Sequence, residues 1–320
     1  MIVVAGEALI DLVPEATEKA LAPLWPARGG GPYNTAVALA RLGSSVAFCS
    51  RVSTDAYGVS LTDRLRGEGV ALELVQRGQE PTTLAVATVE RGGSASYTFY
   101  CQGTADRLFA LPGELPAETR AVAFGTCSLV LEPGAGAYEE LMRREGRSGR
   151  FITLDPNIRA GLIEDPDAYR ARLCRVLPYV SLLKLSEEDA RWLGCDIEGW
   201  LRAGPAAVVV TRGEAGLTAH TRGGEYSVPA ESVGVVDTIG AGDTVHAALL
   251  HALCELGLLS AAALTTMTED DWRQVLGFAA RAAAATCARP GAEPPFAHEL
   301  PALSRGRSHH RPLVPGAVRG

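Results

Sequence analysis

The sequence predicts an α/β protein: a doubly wound, mainly parallel sheet with a small β-structured lid inserted into it. Three observations carry that reading. Short β-branched apolar runs recur along the chain, segments of helical spacing lie between them, and two stretches break the alternation. The apolar runs fall at residues 2–5, 46–50, 121–124, 151–154, 182–185 and 207–211, and their continuity suits strands covered by helices on both faces. Helices are expected at 34–42, ended by Gly43, and at 189–193, ended by Gly194. The first break is 12–28, which holds three prolines; the second is 82–104, where Thr-Leu-Ala-Val-Ala-Thr-Val and Ser-Tyr-Thr-Phe-Tyr flank Arg91-Gly92-Gly93. The second break is expected to fold as a hairpin, which does not belong inside a parallel core, so both breaks are assigned to a lid over a closing cleft. One main unit is expected over 1–300. The tail 301–320, with adjacent His309 and His310 and no apolar periodicity, is expected to be disordered.

Composition narrows the function. The chain has 320 residues, 47% hydrophobic and 21% charged, with a net charge of -7, which argues against a nucleic-acid or anionic-membrane surface and for small-molecule partners. Lysine occurs only at Lys19 and Lys184. Neither stands in a Walker A loop or in the strand context of a protein kinase, so a bound nucleotide would rest on backbone amides and arginine. The seven cysteines are scattered without a Cys-x-x-Cys pair, which fits a reduced, cytoplasmic setting; no secretory or membrane-spanning pattern is seen.

The strongest chemical signal is Asp237-Thr238-Ile239-Gly240-Ala241-Gly242-Asp243, followed by an alanine-rich apolar run. Small residues at the start of a helix let a ligand approach free amides, and the helix dipole favours a phosphate oxygen there. Asp243 at that mouth is placed to take a proton from a hydroxyl. The same residues can also serve tight packing, with Asp243 as a plain helix cap. A second loop-to-helix junction, Gly29-Gly30-Gly31-Pro32-Tyr33-Asn34, offers bare backbone and an amide able to donate to and accept from sugar hydroxyls, or simply an Asn cap. Asp11 is read as closing the first βα segment, either to accept two hydroxyl hydrogens or as a solvated turn residue.

Taken together and in this order, Gly6-Glu7-x-x-x-Asp11, the Gly-rich Asn34 segment and Asp-Thr-x-Gly-Ala-Gly-Asp resemble the ribokinase-like (PfkB) family of carbohydrate kinases, and the resemblance runs from Ile2 to about Pro294. It implies ATP-dependent phosphorylation of a sugar's primary hydroxyl. Asp243 would be the general base, and Gly240, Ala241, Gly242 and the Asp243 amide would form the anion hole. It further implies Asp11, Gly30, Gly31, Asn34, Asn157 and Arg159 near the sugar, and Thr211, Gly213 and Gly216 along the nucleotide. Magnesium would be held mainly by ATP phosphates and water. Where many relatives have Asn-x-x-Glu, this chain has Ser186-x-x-Asp189, which weakens the magnesium link given to Asp189 and the phosphate role of Ser186. Lys184 either reaches phosphate or marks a strand end. Asp237 is compatible with a potassium site shared with carbonyls near Ile239 and residues 289–291. His246 is expected to be a packed helix histidine rather than a second base.

For the sugar, the lid and Gly103-Thr104-Ala105-Asp106-Arg107 look most like the fructokinase branch, with Arg107 a contact. Relatives acting on 2-keto-3-deoxygluconate often carry an arginine near the hairpin's end, whereas this chain has Phe99-Tyr100-Cys101. A neutral sugar is expected, fructose first and ribose or another ketose next, with Tyr97 or Phe99 over its apolar face, or else packing across strands. A nucleoside substrate ranks lower, and a non-catalytic sugar or nucleotide sensor is the alternative outside the class. A homodimer joined through the lid is compatible with the exposed hairpin edge.

Overall fold

The computed structural model describes residues 1–15, 22–89, 95–194 and 196–303. Among them the strands are β1 (Ile2–Ala5), β2 (Leu9–Pro14), β3 (Leu24–Gly29), β4 (Val46–Ser53), β5 (Val75–Gly78), β6 (Leu84–Val89), β7 (Ala95–Tyr100), β8 (Ala121–Gly125), β9 (Phe151–Asp155), β10 (Leu182–Ser186), β11 (Ala207–Thr211), β12 (Leu217–Thr221) and β13 (Gly224–Val228). The helices are α1 (Gly31–Arg41), α2 (Ala56–Gly67), α3 (Gly134–Arg147), α4 (Pro166–Val176), α5 (Glu187–Leu193), α6 (Ile197–Ala203), α7 (Ala241–Leu256), α8 (Ala261–Leu264) and α9 (Glu269–Cys287).

Nine strands form one sheet in the order β13-β12-β11-β10-β9-β8-β1-β4-β5. Every pairing from β5 to β11 is parallel, and β12 and β13 add an antiparallel edge. Successive residues of the inner strands point to opposite faces, and both faces are covered. Ile2, Val4, Phe48 and Ala123 pack with α1, α7 and α9, while Val3, Ala5, Val122 and Leu154 pack with α3 and α4. That double burial is why these strands are apolar throughout instead of alternating.

The helix ends follow local chemistry. The first helix starts at Gly31 rather than Asn34, because Pro32 suits a first turn where no N–H is needed. The fifth starts at Glu187, since the Ser186 hydroxyl accepts the Asp189 amide, and it closes on Gly194 in the left-handed region (φ 73°) as expected.

Four further strands make a separate sheet in the order β3-β2-β6-β7. The second strand pairs antiparallel with β3 and parallel with β6, and β6 pairs antiparallel with β7. Residues 90–94, including Arg91-Gly92-Gly93, lie outside the described residues. One expectation is corrected: β1 leads straight into this second sheet, so Asp11 stands mid-strand in β2, opposite Ala27 and Ala85, and not in a βα turn. The tail positions 304–320, including His309 and His310, lie outside the described residues, and 301–303 have no regular structure. Among the described residues no helix is long and apolar enough to cross a membrane.

Candidate active site

A cavity of about 230 Å³ opens over the carboxyl ends of the parallel strands, between the sheet and the lid. Open α/β sheets place ligands there because loops diverge at that edge. Two helices, α1 and α7, direct their N-termini into it. Each is capped by a glycine, Gly30 or Gly240, that gives no side-chain acceptor. In α7 the Ala241 amide turns back to the Thr238 carbonyl (3.3 Å), so the amides of Gly242 and Asp243 are the ones left for a ligand; α1 has Pro32 in its first turn and offers fewer donors, and both dipoles favour negative charge.

The glycines are required by shape. At Gly240 the backbone is left-handed (φ 76°), and a Cβ would sit 2.6 Å from that of Ala292. At Gly242 a Cβ would stand 3.1 Å from Lys184 Nζ, so the helix start lies directly over that lysine.

Asp243, in the first turn of α7, is buried, and its Oδ2 accepts a 2.8 Å hydrogen bond from Asn34 Nδ2 on α1. Burial raises its pKa; the Asn34 bond, Lys184 and Arg159 oppose that shift. The result is a carboxylate held by one donor, with its second oxygen facing the cavity wall at Gly31. Beneath it, Lys184 on β10 donates to Asp155 Oδ2 on β9 at 2.6 Å, a fully buried pair whose Asp155 Oδ1 has no partner. Burial pushes Asp155 up to about 6 against the pull of Lys184. His246 faces the sheet instead: its Nε2 is 2.8 Å from the Thr153 hydroxyl, and burial drives its pKa down to about 3. It is a neutral packing residue, as expected.

On the other side of the cavity stand Asp11, Asn157, Arg159, Tyr97 and Phe99. Burial lifts Asp11 to about 6, and Arg159 opposes the shift. The Arg159 guanidinium donates to Asn157 Oδ1 (2.7 Å), and Asn157 in turn donates to the Thr126 hydroxyl (3.2 Å). Asn157 (φ 41°) and Thr126 (φ 52°) are the non-glycine residues with positive φ among the described residues, and both line this cavity. Left-handed backbone is tolerable for asparagine but strained for a β-branched threonine, and such strain concentrates where side chains must be aimed at a ligand.

Several sequence expectations are corrected. Asn34 lines the cavity and also donates one of its two amide hydrogens to Asp243, a second task that the sequence did not show. Arg107 turns out of the cavity, bonding the Glu132 carbonyl and Gln102, because it sits on a single 3-10 turn that aims it away. Asp189 is engaged locally: its Oδ2 accepts from the Ser186 amide and hydroxyl, and its Oδ1 accepts from the Ile158 amide at 2.7 Å. Ser186 and Asp189 thus form a helix capping box, and neither lines the cavity. Asp237 clasps two loops, accepting the Ile239 and Gly291 amides at 3.0 and 2.8 Å. Thr211, Gly213 and Gly216 lie beyond the cavity at the end of β11, where the Arg212 amide bonds the Gly216 carbonyl and φ is left-handed at both glycines.

Glu7, Thr126 and Cys127 also line the cavity and were missed. Glu7 is 2% exposed, neither carboxyl oxygen has a partner, and burial pushes it up to about 8. Its signal was its place in the Gly6-Glu7-x-x-x-Asp11 pattern; Thr126 and Cys127 had none.

Such a fold, with a buried carboxylate and open amides at one helix end and polar side chains beneath a β lid, fits a phosphotransferase for a small polyhydroxylated acceptor. The chain belongs to the pfkB family of carbohydrate kinases, whose sequence model matches residues 1–299. It is 38% identical over 285 residues to a fructokinase of Rhizobium leguminosarum bv. trifolii, covering 85% of this chain and 86% of that one. A fructokinase of Escherichia coli is 31% identical over 301 residues, covering 90% and 94%. Among solved structures, fructokinase from Xylella fastidiosa with bound ATP superposes with a TM-score of 0.83 at 28% identity, covering 95% of this chain and 96% of that one.

Proposed function

We propose that this kinase transfers the γ-phosphoryl group of ATP to the primary hydroxyl of fructose, giving fructose 6-phosphate and ADP. The observation that carries the reading is the placement of Asp243 within one turn of the uncapped amides of α7. Asp243 accepts the hydroxyl proton as the sugar oxygen bonds to the γ-phosphorus and the bond to the bridging oxygen breaks. The amides of Gly242 and Asp243, with the bare backbone at Gly240, offset charge spreading over the transferred oxygens, whereas the Ala241 amide is engaged by the Thr238 carbonyl. Asn34 holds the carboxylate in position, and Lys184 adds a positive charge under the helix start.

Fructose is supported by the names of the relatives and by a sugar side that carries one arginine already engaged with Asn157. We assign Asp11, Asn157 and Arg159 to its hydroxyls, and Tyr97 and Phe99 to its apolar face. ATP, bound in the Xylella fastidiosa relative, would run from α7 toward Thr211, Gly213 and Gly216. For magnesium, no group of three or more His, Cys, Asp or Glu residues among the described residues could hold the ion alone. The unpartnered Asp155 Oδ1 fits an ion carried by the ATP phosphates and water. Bound there, the ion would neutralise phosphate charge. Potassium would rest on Asp237 and the carbonyls of the loops it joins. Lid pairing into a homodimer is supported by Trp25 and Tyr100, exposed on the outer strands β3 and β7.

The deciding experiment is ADP release with ATP and Mg²⁺ across fructose, ribose, glucose, 2-keto-3-deoxygluconate and adenosine. Highest kcat/KM on fructose is expected. Preference for another sugar overturns the substrate, and no turnover on any, with ATP bound, leaves the sensor reading standing.

A further inference from the structure

A second cavity, of about 470 Å³, lies beside the first and is twice its size. That volume is within the range of small-molecule sites. Asn34 is the one residue the two share; the rest of the lining comes from β2, β3, α1, α2 and the 290–293 loop. None of Thr211, Gly213 and Gly216 borders it, so it is separate from the nucleotide side.

Its charge is unbalanced. Glu68 and Glu293 are bridged by Arg41 and Arg64, with Arg64 bonding Glu68 at 2.7 Å and Glu293 at 2.9 Å. Arg28 is a third guanidinium against those two carboxylates. Its Nε donates to the Ser60 carbonyl (3.2 Å) and hydroxyl (3.1 Å), and it makes no ion pair with any described carboxylate. The remaining fork of Arg28 and the Ser60 hydroxyl are thus together at the cavity edge, a pairing that suits phosphate oxygens. Tyr57 on α2 supplies an aromatic wall, and Tyr33 at the inner end has a buried hydroxyl without a partner. Such a lining suits a ligand with a charged end and a hydroxylated, ring-like body.

The cavity also touches the parts that hold the catalytic centre. Asn34 bonds Asp243, the Gly291 amide bonds Asp237, and Ala292 packs where a Cβ on Gly240 would stand. An occupant pressing on Asn34 or on 290–292 therefore bears on both the base and the anion pocket.

We propose that this cavity is an effector site for a small sugar phosphate, with Arg28 and Ser60 taking the phosphate and Tyr57 lying along the sugar. Isothermal titration of the full chain with fructose 6-phosphate tests it, using wild type, Arg28→Ala, Ser60→Ala and Arg159→Ala. A saturable component is expected that weakens about tenfold or more in Arg28→Ala, less in Ser60→Ala, and persists in Arg159→Ala, where the catalytic cleft is impaired. This binding result stands whichever sugar is the substrate. In the wild type, fructose 6-phosphate should still change kcat when sugar and ATP are saturating and product competition is displaced, and that change should vanish in Arg28→Ala. Inorganic phosphate should bind more weakly, having no body to meet Tyr57. Absence of the component, or its loss in Arg159→Ala with survival in Arg28→Ala, overturns the site. Equal affinity for inorganic phosphate overturns the sugar part, and binding with unaltered kcat overturns the effector role.

Discussion

Replacing Asp243 by Asn removes the proposed base with little change in shape. In the wild type one carboxylate oxygen receives the 2.8 Å bond from Asn34, and the asparagine carbonyl can receive the same bond. No cavity opens, because the side chains are nearly isosteric. The carboxylate is buried and its pKa is raised above the unfolded value, so its charge weakens the fold at neutral pH. The variant should therefore melt at the wild-type temperature or higher. Activity should behave oppositely. Loss of a positioned general base is worth about 10²–10⁴ in rate, or roughly 3–5 kcal/mol of barrier, and it should fall on kcat while sugar KM moves by less than about tenfold. Coupled ADP release with fructose, beside a thermal melt, measures both. A kcat within about tenfold of wild type, in a folded variant, would refute the assignment of Asp243 as base. A large drop in melting temperature would instead refute the claim that Asn34 needs only an acceptor there.

Four further outcomes follow from the same geometry. Gly240→Ala places a Cβ against Ala292 at a left-handed position, so it should lose about 1–3 kcal/mol of stability and much of kcat; an unchanged melt would contradict the packing. Lys184→Met leaves Asp155 buried without its partner and should cost about 3–5 kcal/mol, while Lys184→Met with Asp155→Asn should recover a good part, as read by denaturant unfolding. Asp11 titrates near pH 6 in the folded protein, so sugar KM should rise as pH falls through about 6, and Asp11→Asn should hold KM high and flat across that window. Glu7, pushed up by burial to about 8 from the ordinary value of 4.5, binds its proton more tightly when folded. Its contribution is present below about 4.5 and lost as pH rises to about 8, so Glu7→Gln should gain on wild type over that window by up to about 1.4 kcal/mol per pH unit. A stability difference that does not change with pH would refute the buried acid.

The sheet was legible because its strands are buried on both faces: Ile2, Val3, Val4 and Ala5 leave no polar position to confuse the period. The bare helix start was legible because a left-handed cap calls for glycine at 240 and a close approach to Lys184 favours it at 242. Direction and partnership were not. Ser186-x-x-Asp189 has the spacing of a capping box as well as of a metal-linked pair, and the structure shows the box, with the Asp189 amide donating to Ser186 Oγ at 3.0 Å. Arg107 has the right residue type for a sugar contact, yet a single 3-10 turn aims it at Glu132. Asp11 was misplaced because a helix was expected after β1, whereas the chain turns at Gly6, where φ is 153°, and runs on as a strand.

Scarcity of lysine gives the arrangement its logic. With two lysines in the chain, one of them, Lys184, is committed to the floor of the site, where Asp155 neutralises much of its charge. A lysine paired in this way cannot by itself hold a triphosphate. On the proposed mechanism, part of the remaining attraction comes from the N-terminus of α7, whose amides and dipole are fixed before any ligand arrives and need no counter-ion. Fixed dipoles require no reorganisation as charge moves onto the transferred oxygens, whereas a flexible side chain would have to follow it. On the proposed mechanism, the Gly240 cap keeps the amides of Gly242 and Asp243 open while the Asn34–Asp243 bond aims the carboxylate.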